Sequence, residues 1–518
     1  LVSVTDSLSG TTLTKSVQIT NPLTIGSLWF KDACASNGGL GEIRVGDFQG
    51  GTRYNIPNDQ YWAYSLDIYD STGSNLTNWN VPDNSGHYNS LSVQAGSYVV
   101  TLTDASGCSV YDTVLIEETI GSRYYISTTG SDTADGTLSA PLSTIQEALG
   151  RACDGDTIVL LDGEYFENVE IDGMIPYVTI ASEFIDDGVT SHIANTIVNG
   201  MDEDPVFDIS SHNDASDTIK FVGFTITNGK SSNWYGGGGI SSNYSNLGLK
   251  HMVVSGNRSG HSGGGIGMDG GYLNLWHTEV SNNIAENDGG GIRVHYMQKL
   301  DGHGSTIIKN NKTNNNGGGI SYSHGYWGSN EDFYIKGFII ENNSSRYEGG
   351  GLHISNSGNN NGDLLIENIK ILNNRSIYNS SGGMYISHNG EDAIMQNIII
   401  ASNKSNNIGG LTIRDVDLDI VHSTIYANSV QDGSSSNDQI QLQNNANVLF
   451  LNSAVGGQVQ IGATTPHSFY LNDYDTTCDL TIANSIVQGG INSIDNPYGL
   501  AITGTPIGQA LYLMNAAQ

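Results

Sequence analysis

Between residues 236 and 411 the chain repeats one phrase seven times: a glycine-rich step, an apolar residue, a variable stretch, then an apolar strand ending in Asn. The apolar anchors are Ile240, Ile266, Ile292, Ile320, Leu352, Met384 and Leu411, spaced 26, 26, 28, 32, 32 and 27 residues apart. The asparagines are Asn257, Asn283, Asn311, Asn343, Asn374 and Asn403, each 8 to 10 residues before the next anchor. From anchor to Asn the distance runs from 17 to 23 residues, so one corner has a nearly fixed length and loops grow on the other arm. A repeat of this length, without helical periodicity and with short β-branched strands split by Gly and Asn, predicts a parallel β-helix of three-strand coils. Each strand then pairs with its equivalent one rung away at about 4.8 Å, and Ile and Val rows fill the interior. The recurring asparagines are expected to form a hydrogen-bonded ladder and to adopt left-handed backbone angles at the corner.

Composition agrees with an all-β chain. Of 518 residues only 14% are charged, while Gly reaches 66. Twenty basic against 53 acidic residues give a net charge of -33, which argues against nucleic acid or an anionic membrane as partner. No apolar run approaches the roughly 20 residues of a membrane-spanning helix.

The chain opens inside a β pattern, without Met or a signal segment, and this opening recurs about a hundred residues on. Thr5-Asp6 answers Thr103-Asp104, and Gly10 to Val17 spans 7 residues, as does Gly107 to Val114. Residues 1–22 are therefore expected to be the tail of a preceding copy, in a processed or partial product of a longer array. Residues 23–119 carry short alternating strands and Gly and Pro-Asp-Asn turns, the pattern of an Ig-like β-sandwich. Cys34 with the following NGGLGEI, the stretch Gly96 to Asp104 and Gly107-Cys108 resemble the SprB-type repeat of Bacteroidetes surface adhesins.

From Tyr124, the run YYISTTGSDTADGTLSAPLSTIQEALGRACDGDTIVLLDGEYFENVEI resembles the entry of pectate-lyase-like β-helix domains on secreted Bacteroidetes proteins. The resemblance implies a right-handed parallel β-helix over 122–456, with last rungs and a C-terminal cap over 457–518. A short helix near 143–152, preceded by Pro141 and N-capped by Ser143, would plug the open end of the solenoid. It further implies export through the type IX pathway, an extracellular cell-surface location and a part in attachment or gliding.

Several clusters are candidates for chemistry. In Arg414-Asp415-Val416-Asp417-Leu418-Asp419-Ile420, strand alternation would put Asp415, Asp417 and Asp419 on one outer face, where carboxylates could hold Ca²⁺. Asp132 and Asp135, three apart in a tight loop, form a second Ca²⁺ candidate beside a plain Asx-turn reading. Ca²⁺ is the one cofactor these patterns suggest. Positions one and three past the anchors should form two outward rows, in which Arg293, His295, His353, Tyr385 and Arg414 would line a ligand groove. The alternative for all of these is a solvated face. Trp234, Tyr235, Tyr272, Trp276, Tyr326 and Trp327 could stack on sugars or pack the loops down. Cys34 and Cys108, near the two ends of one module, are expected to pair, whereas Cys153 and Cys478 are expected to be buried thiols.

No acidic pair on adjacent rungs of those outward rows makes a catalytic centre. The reading is a noncatalytic stalk-plus-display segment of a cell-surface adhesin or filament protein. Its partners would be a surface polysaccharide or other extracellular ligand, and neighbouring modules or further copies in a fibre. The alternatives are a polysaccharide lyase or hydrolase, which would need an Asp cluster beside Arg or Lys, and a carbohydrate-binding module with aligned aromatics.

Overall fold

Ile266–Asp269, Tyr272–Trp276, Glu279–Ser281 and Ile284–Ala285 trace one coil in the computed structural model of this chain. Each segment pairs in parallel with its equivalents in the coils above and below. The stack yields three sheets of 24, 12 and 8 strands, here called the wide, flank and narrow sheets. The wide sheet receives two segments from most coils, which then carry four strand segments where the sequence suggested three. The cause is a left-handed residue, such as His277 (φ 49°) or Asn368 (φ 58°), which turns the chain between those two segments.

The structure describes residues 2–5, 12–15, 23–34, 40–50, 64–81, 88–116, 118–119, 123–173, 177–210, 218–234, 236–297, 299–324, 332–356, 362–378, 381–388, 393–430, 438–456, 469–472, 478–487, 494–495 and 501–504. They fall into two compact units, Leu1–Ser122 and Arg123–Gln518. In the first unit, two four-stranded sheets contribute to one apolar core that includes Ile43, Val45, Leu66, Ile68, Val100 and Leu102. Val2–Thr5 forms an antiparallel pair with Thr12–Lys15.

In the second unit, stacked Ile, Leu, Val and Phe side chains form a continuous interior from Tyr124 to Val487. One corner is closed by the asparagines. Asn283 Nδ2 donates to Asn311 Oδ1 (3.0 Å), and the contact repeats from Asn257 through Asn403, Asn428 and the Gln439 amide. The left-handed residue is not the ladder Asn but the one before it: Asn282, Asn310, Asn342, Asn373 and Ser402 have φ of 55–59°. The Asn-Asn pairs thus divide two tasks, the first residue turning the backbone and the second bonding inside. Gly264, in the step before the next anchor, has no space for a Cβ, which would meet the Gly290 carbonyl one rung on.

The end-capping helix spans Ile145–Arg151, and its N-cap is Thr144, whose hydroxyl accepts from Glu147 N–H. Ser143 instead donates its backbone N–H to Asp132. Ile145, Ala148 and Leu149 on the helix are buried against the first coil. Cys108 is a free, exposed thiol, so the expected Cys34–Cys108 disulfide is not formed. Cys478 is a buried free thiol as read from sequence, but Cys153 is disulfide-bonded. Among the described residues no helix is long and apolar enough to cross a membrane.

Candidate functional site

Strand alternation sends every second residue of the wide sheet outward, and parallel register stacks these residues into columns. One column runs Tyr272, Lys299, Tyr334, Leu365, Ile394, Asp419, Leu449 and Thr481. Beside it stand Asn274, Asp301, Lys336 and Glu367, and beyond them Trp276 pairs with His303.

Asp301 is unusual in this setting: it points outward, between the inward Leu300 and the wall, yet is only 1% exposed. Its Oδ2 lies 3.0 Å from Lys299 Nζ, 3.1 Å from His303 Nε2 and 3.7 Å from Lys336 Nζ. Its Oδ1 is buried without a hydrogen-bond partner. A buried carboxylate requires pairing, and here two lysines and an imidazole supply it. The other described buried aspartates, Asp104 and Asp156, accept from backbone N–H groups of their own turns.

The local backbone explains the burial. From Asp301 to Ile307 is six residues, but the register partners Lys336 and Ile339 are only three apart, so the wall steps in between two rungs. Lys299–Lys309 and Phe333–Glu341 run across the corner without a strand break, and Gly302 and Gly337 permit the close approach there. His303 stacks on Trp276 (4.4 Å between ring centroids, 21° between planes). Trp276 remains 48% exposed and Tyr334 40%, so two large rings flank the charged cluster at the surface.

Farther along, the same face changes character. A cavity of about 750 Å³ is lined by Tyr334, Leu365, Ile394 and Leu449 together with Asp363, Asp417, Asp419 and Asp479. Asp332, Asp363, Asp417, Asn447 and Asp479 each precede the first inward residue of their strand and therefore share one edge. Asn447 donates from Nδ2 to Asp417 (2.7 Å), and Asp363 N–H donates to Asp332 (3.1 Å).

The residues selected from sequence are dispersed. Arg293, His353 and Tyr385 stand in one column of the flank sheet with Ser321 between the first two, and His295 and Arg414 in another. Arg293, His353 and Tyr385 are buried (5–7% exposed), so the five do not line an open groove. His353 stacks on Tyr385, and burial, with Glu348 nearby, raises the Tyr385 phenol above its ordinary value. His295 is hydrogen-bonded to Asp269 (2.8 Å).

The expected acidic triplet is also broken: Asp415 sits in a left-handed turn (φ 49°) because the strand begins only at Asp417. It bonds Arg414 and Asn444, while Asp417 and Asp419 stay on the outer face. Asp132 is a helix anchor, accepting from Ser143 N–H, Thr144 N–H and the Thr144 hydroxyl. Burial opposes its ionisation, yet these bonds prevail and hold its carboxyl below the ordinary value; Asp135 is exposed. Tyr235, Tyr326 and Trp327 lie outside the described residues. Among the described residues, one trio of His, Cys, Asp or Glu ligand atoms lies within 4.8 Å of one another: Asp162, Glu183 and His192.

The Asp301 cluster was missed from sequence because Lys-Leu-Asp-Gly-His falls in the variable arm, where the repeat gives no register. A Lys-x-Asp-x-His alternation around an inward Leu was the available signal.

No family model matches the chain, and no curated protein matches it. Among solved structures it is similar to the crystal structure of pectate lyase Pel9A, at 14% identity over 67% of this chain and 79% of that one, with a TM-score of 0.33. It is also similar to the complex structure of XylC with xylose, at 9% identity over 70% of this chain and 86% of that one, with a TM-score of 0.34. Likenesses at that level bear on neither activity nor ligand.

Proposed function

We propose that this chain is a noncatalytic segment of a secreted cell-surface adhesin that holds carbohydrate on the outward face of its wide sheet. The observation that carries this reading is the surface pair Trp276 and Tyr334 flanking Lys299, Asp301 and Lys336. Exposed rings supply apolar faces for sugar C–H groups, and the charged cluster supplies directional donors and acceptors. The SprB-type resemblance of residues 23–119 supports an Ig-like stalk module and an extracellular setting. The pectate-lyase-like entry after Tyr124 supports a right-handed coil in a surface protein.

A polysaccharide lyase or hydrolase is the second reading, and a specific feature favours it: a buried carboxylate with one unpartnered oxygen between two lysines and an imidazole. The test is incubation of the full chain with a panel of acidic and neutral polysaccharides, following adsorption and the appearance of reducing or unsaturated ends. The expected result is adsorption without new ends, weakened in Trp276→Ala. Ends that appear with the native chain and vanish in Asp301→Asn would replace the adhesin reading with the enzymatic one. Loss of neither adsorption nor turnover in these variants would remove the wide sheet from both.

A further inference from the structure

The acidic stretch of the wide sheet adjoins the Trp276–Asp301 cluster at Tyr334, but beyond that ring its chemistry is not that of a sugar site. Leu365, Ile394 and Leu449 form an aliphatic seam with Tyr334 as its sole ring, and Ile394 is 40% exposed. Along one side of this seam stand Asp363, Asp417 and Asp479, all exposed, and Asp419 interrupts the seam itself. Asp363, Asp417 and Asp479 stand two rungs apart, about 9.6 Å, so successive carboxylates in this edge repel by roughly 0.4 kcal/mol per pair in water-like surroundings. These carboxylates do not converge as a trio of metal ligands, since the only such trio among the described residues is elsewhere. Their charge is spread along a line, and a linear cationic partner would offset it where a single ion would not.

From this geometry we propose that the seam docks an extended polypeptide segment of another protein, carrying Lys or Arg alternately with apolar side chains. Three observations select that occupant. The carboxylates and the net charge of -33 attract a cation and repel acidic glycans. The aliphatic seam favours apolar side chains over a sugar ring. The column from Tyr334 to Thr481 spans five rung steps, about 24 Å, the length of about seven residues of extended chain. An extended segment laid along the seam turns one set of alternate side chains to the aliphatic column and the other to the carboxylate edge.

The test uses the full chain and a fluorescein-labelled peptide of alternating Lys and Leu, seven residues long, with its Glu-Leu counterpart and a Lys-only heptapeptide as controls. Fluorescence anisotropy is read at low and at physiological ionic strength. The Lys-Leu peptide is expected to bind and the Glu-Leu peptide not to bind. The Asp363→Asn/Asp417→Asn/Asp479→Asn variant is expected to weaken binding about tenfold, the sum for three exposed ion pairs. Replacing the same three residues by Lys is expected to transfer binding to the Glu-Leu peptide, a gain that a misfolded variant would not show. Equal binding of the Lys-only peptide would reduce the effect to general attraction and overturn the docking seam, as would unchanged affinity in the triple Asn variant. Binding of a neutral oligosaccharide that displaces the peptide would assign the seam to a different occupant and overturn it too.

Discussion

Removing the Asn311 side chain should open the solenoid locally. Its Nδ2 donates to the Val280 carbonyl (2.9 Å) and to Asn343 Oδ1 (3.0 Å), and its Oδ1 accepts from the backbone N–H and the Nδ2 of Asn283 (both 3.0 Å). Asn311→Ala therefore leaves two buried donors and one buried carbonyl unmet. At about 1–3 kcal/mol for each, the cost is roughly 4 kcal/mol. Asn311→Asp fares no better, because it sets an oxygen against the Val280 carbonyl and Asn343 Oδ1. The adjacent Asn310 is the control: it is exposed, holds φ of 56°, and has its backbone N–H on the Glu341 carbonyl. Asn310→Ala should cost only the left-handed strain, about 1 kcal/mol, and Asn310→Gly next to nothing. Each coil rests only on its neighbours, so the damage should be local. Native-state hydrogen exchange of the full chain should show amides between Val280 and Asn343 exchanging several-hundredfold faster in Asn311→Ala, with those of Ile219–Val254 little changed. Equal effects of Asn310→Ala and Asn311→Ala, or uniform loosening along the whole stack, would refute the division of tasks within the Asn-Asn pair.

Replacing Lys299 and Lys336 together by Met should destabilise the rungs around Asp301 by about 3 kcal/mol, because the buried carboxylate keeps only His303. Adding Asp301→Asn should recover most of that loss in chemical denaturation, and failure to recover it would mean the lysines act by packing alone. His192 is bonded to Asp162 (2.6 Å) and Asp187 (3.3 Å), and the Asp162 bond raises its pKa above the usual 6.5. The stability this gives is complete below that usual value and is lost as pH rises through the folded one. Exchange in Ser191–Asn195 should therefore quicken with rising pH beyond the intrinsic base-catalysed increase, and His192→Gln should abolish the excess. Cys108, free and exposed, should react with a maleimide in the native chain, whereas the buried Cys478 should react only after unfolding.

The spacing of Gly steps and Asn residues was enough to read the coil and its ladder, because both are enforced in every rung by backbone contacts. The split of one strand into two was not legible. It depends on single left-handed residues whose identity changes from rung to rung: His251, His277, Asn368, Asn397, His422 and Asn452. No residue type marks that corner. The outward rows beside the anchors were placed in correct register, but not their burial: alternation gives direction, and Arg293 shows that an outward side chain can still be covered. The acidic edge, by contrast, was legible and overlooked. An Asp or Asn directly before an apolar strand start recurs at Asp332, Asp363, Asp417, Asn447 and Asp479, at about the coil spacing or twice it.

A solenoid converts such recurrences into lines, and the sign of each line limits what can lie on it. On the wide sheet the earlier rungs carry Lys299, Lys336 and His303 around a single buried carboxylate, and the later rungs carry three exposed aspartates along one edge. An acidic glycan attracted to the first rungs meets rising repulsion as it extends toward Asp363, while a cationic chain meets the reverse. A ligand of uniform charge sign is thus opposed on one of the two stretches. The electrostatics therefore divide one continuous sheet face into a stretch with a cationic cluster and a stretch with an acidic edge. That division arises from which residues occupy the outward positions of each coil, a choice that leaves the inward apolar rows, and so the fold, untouched.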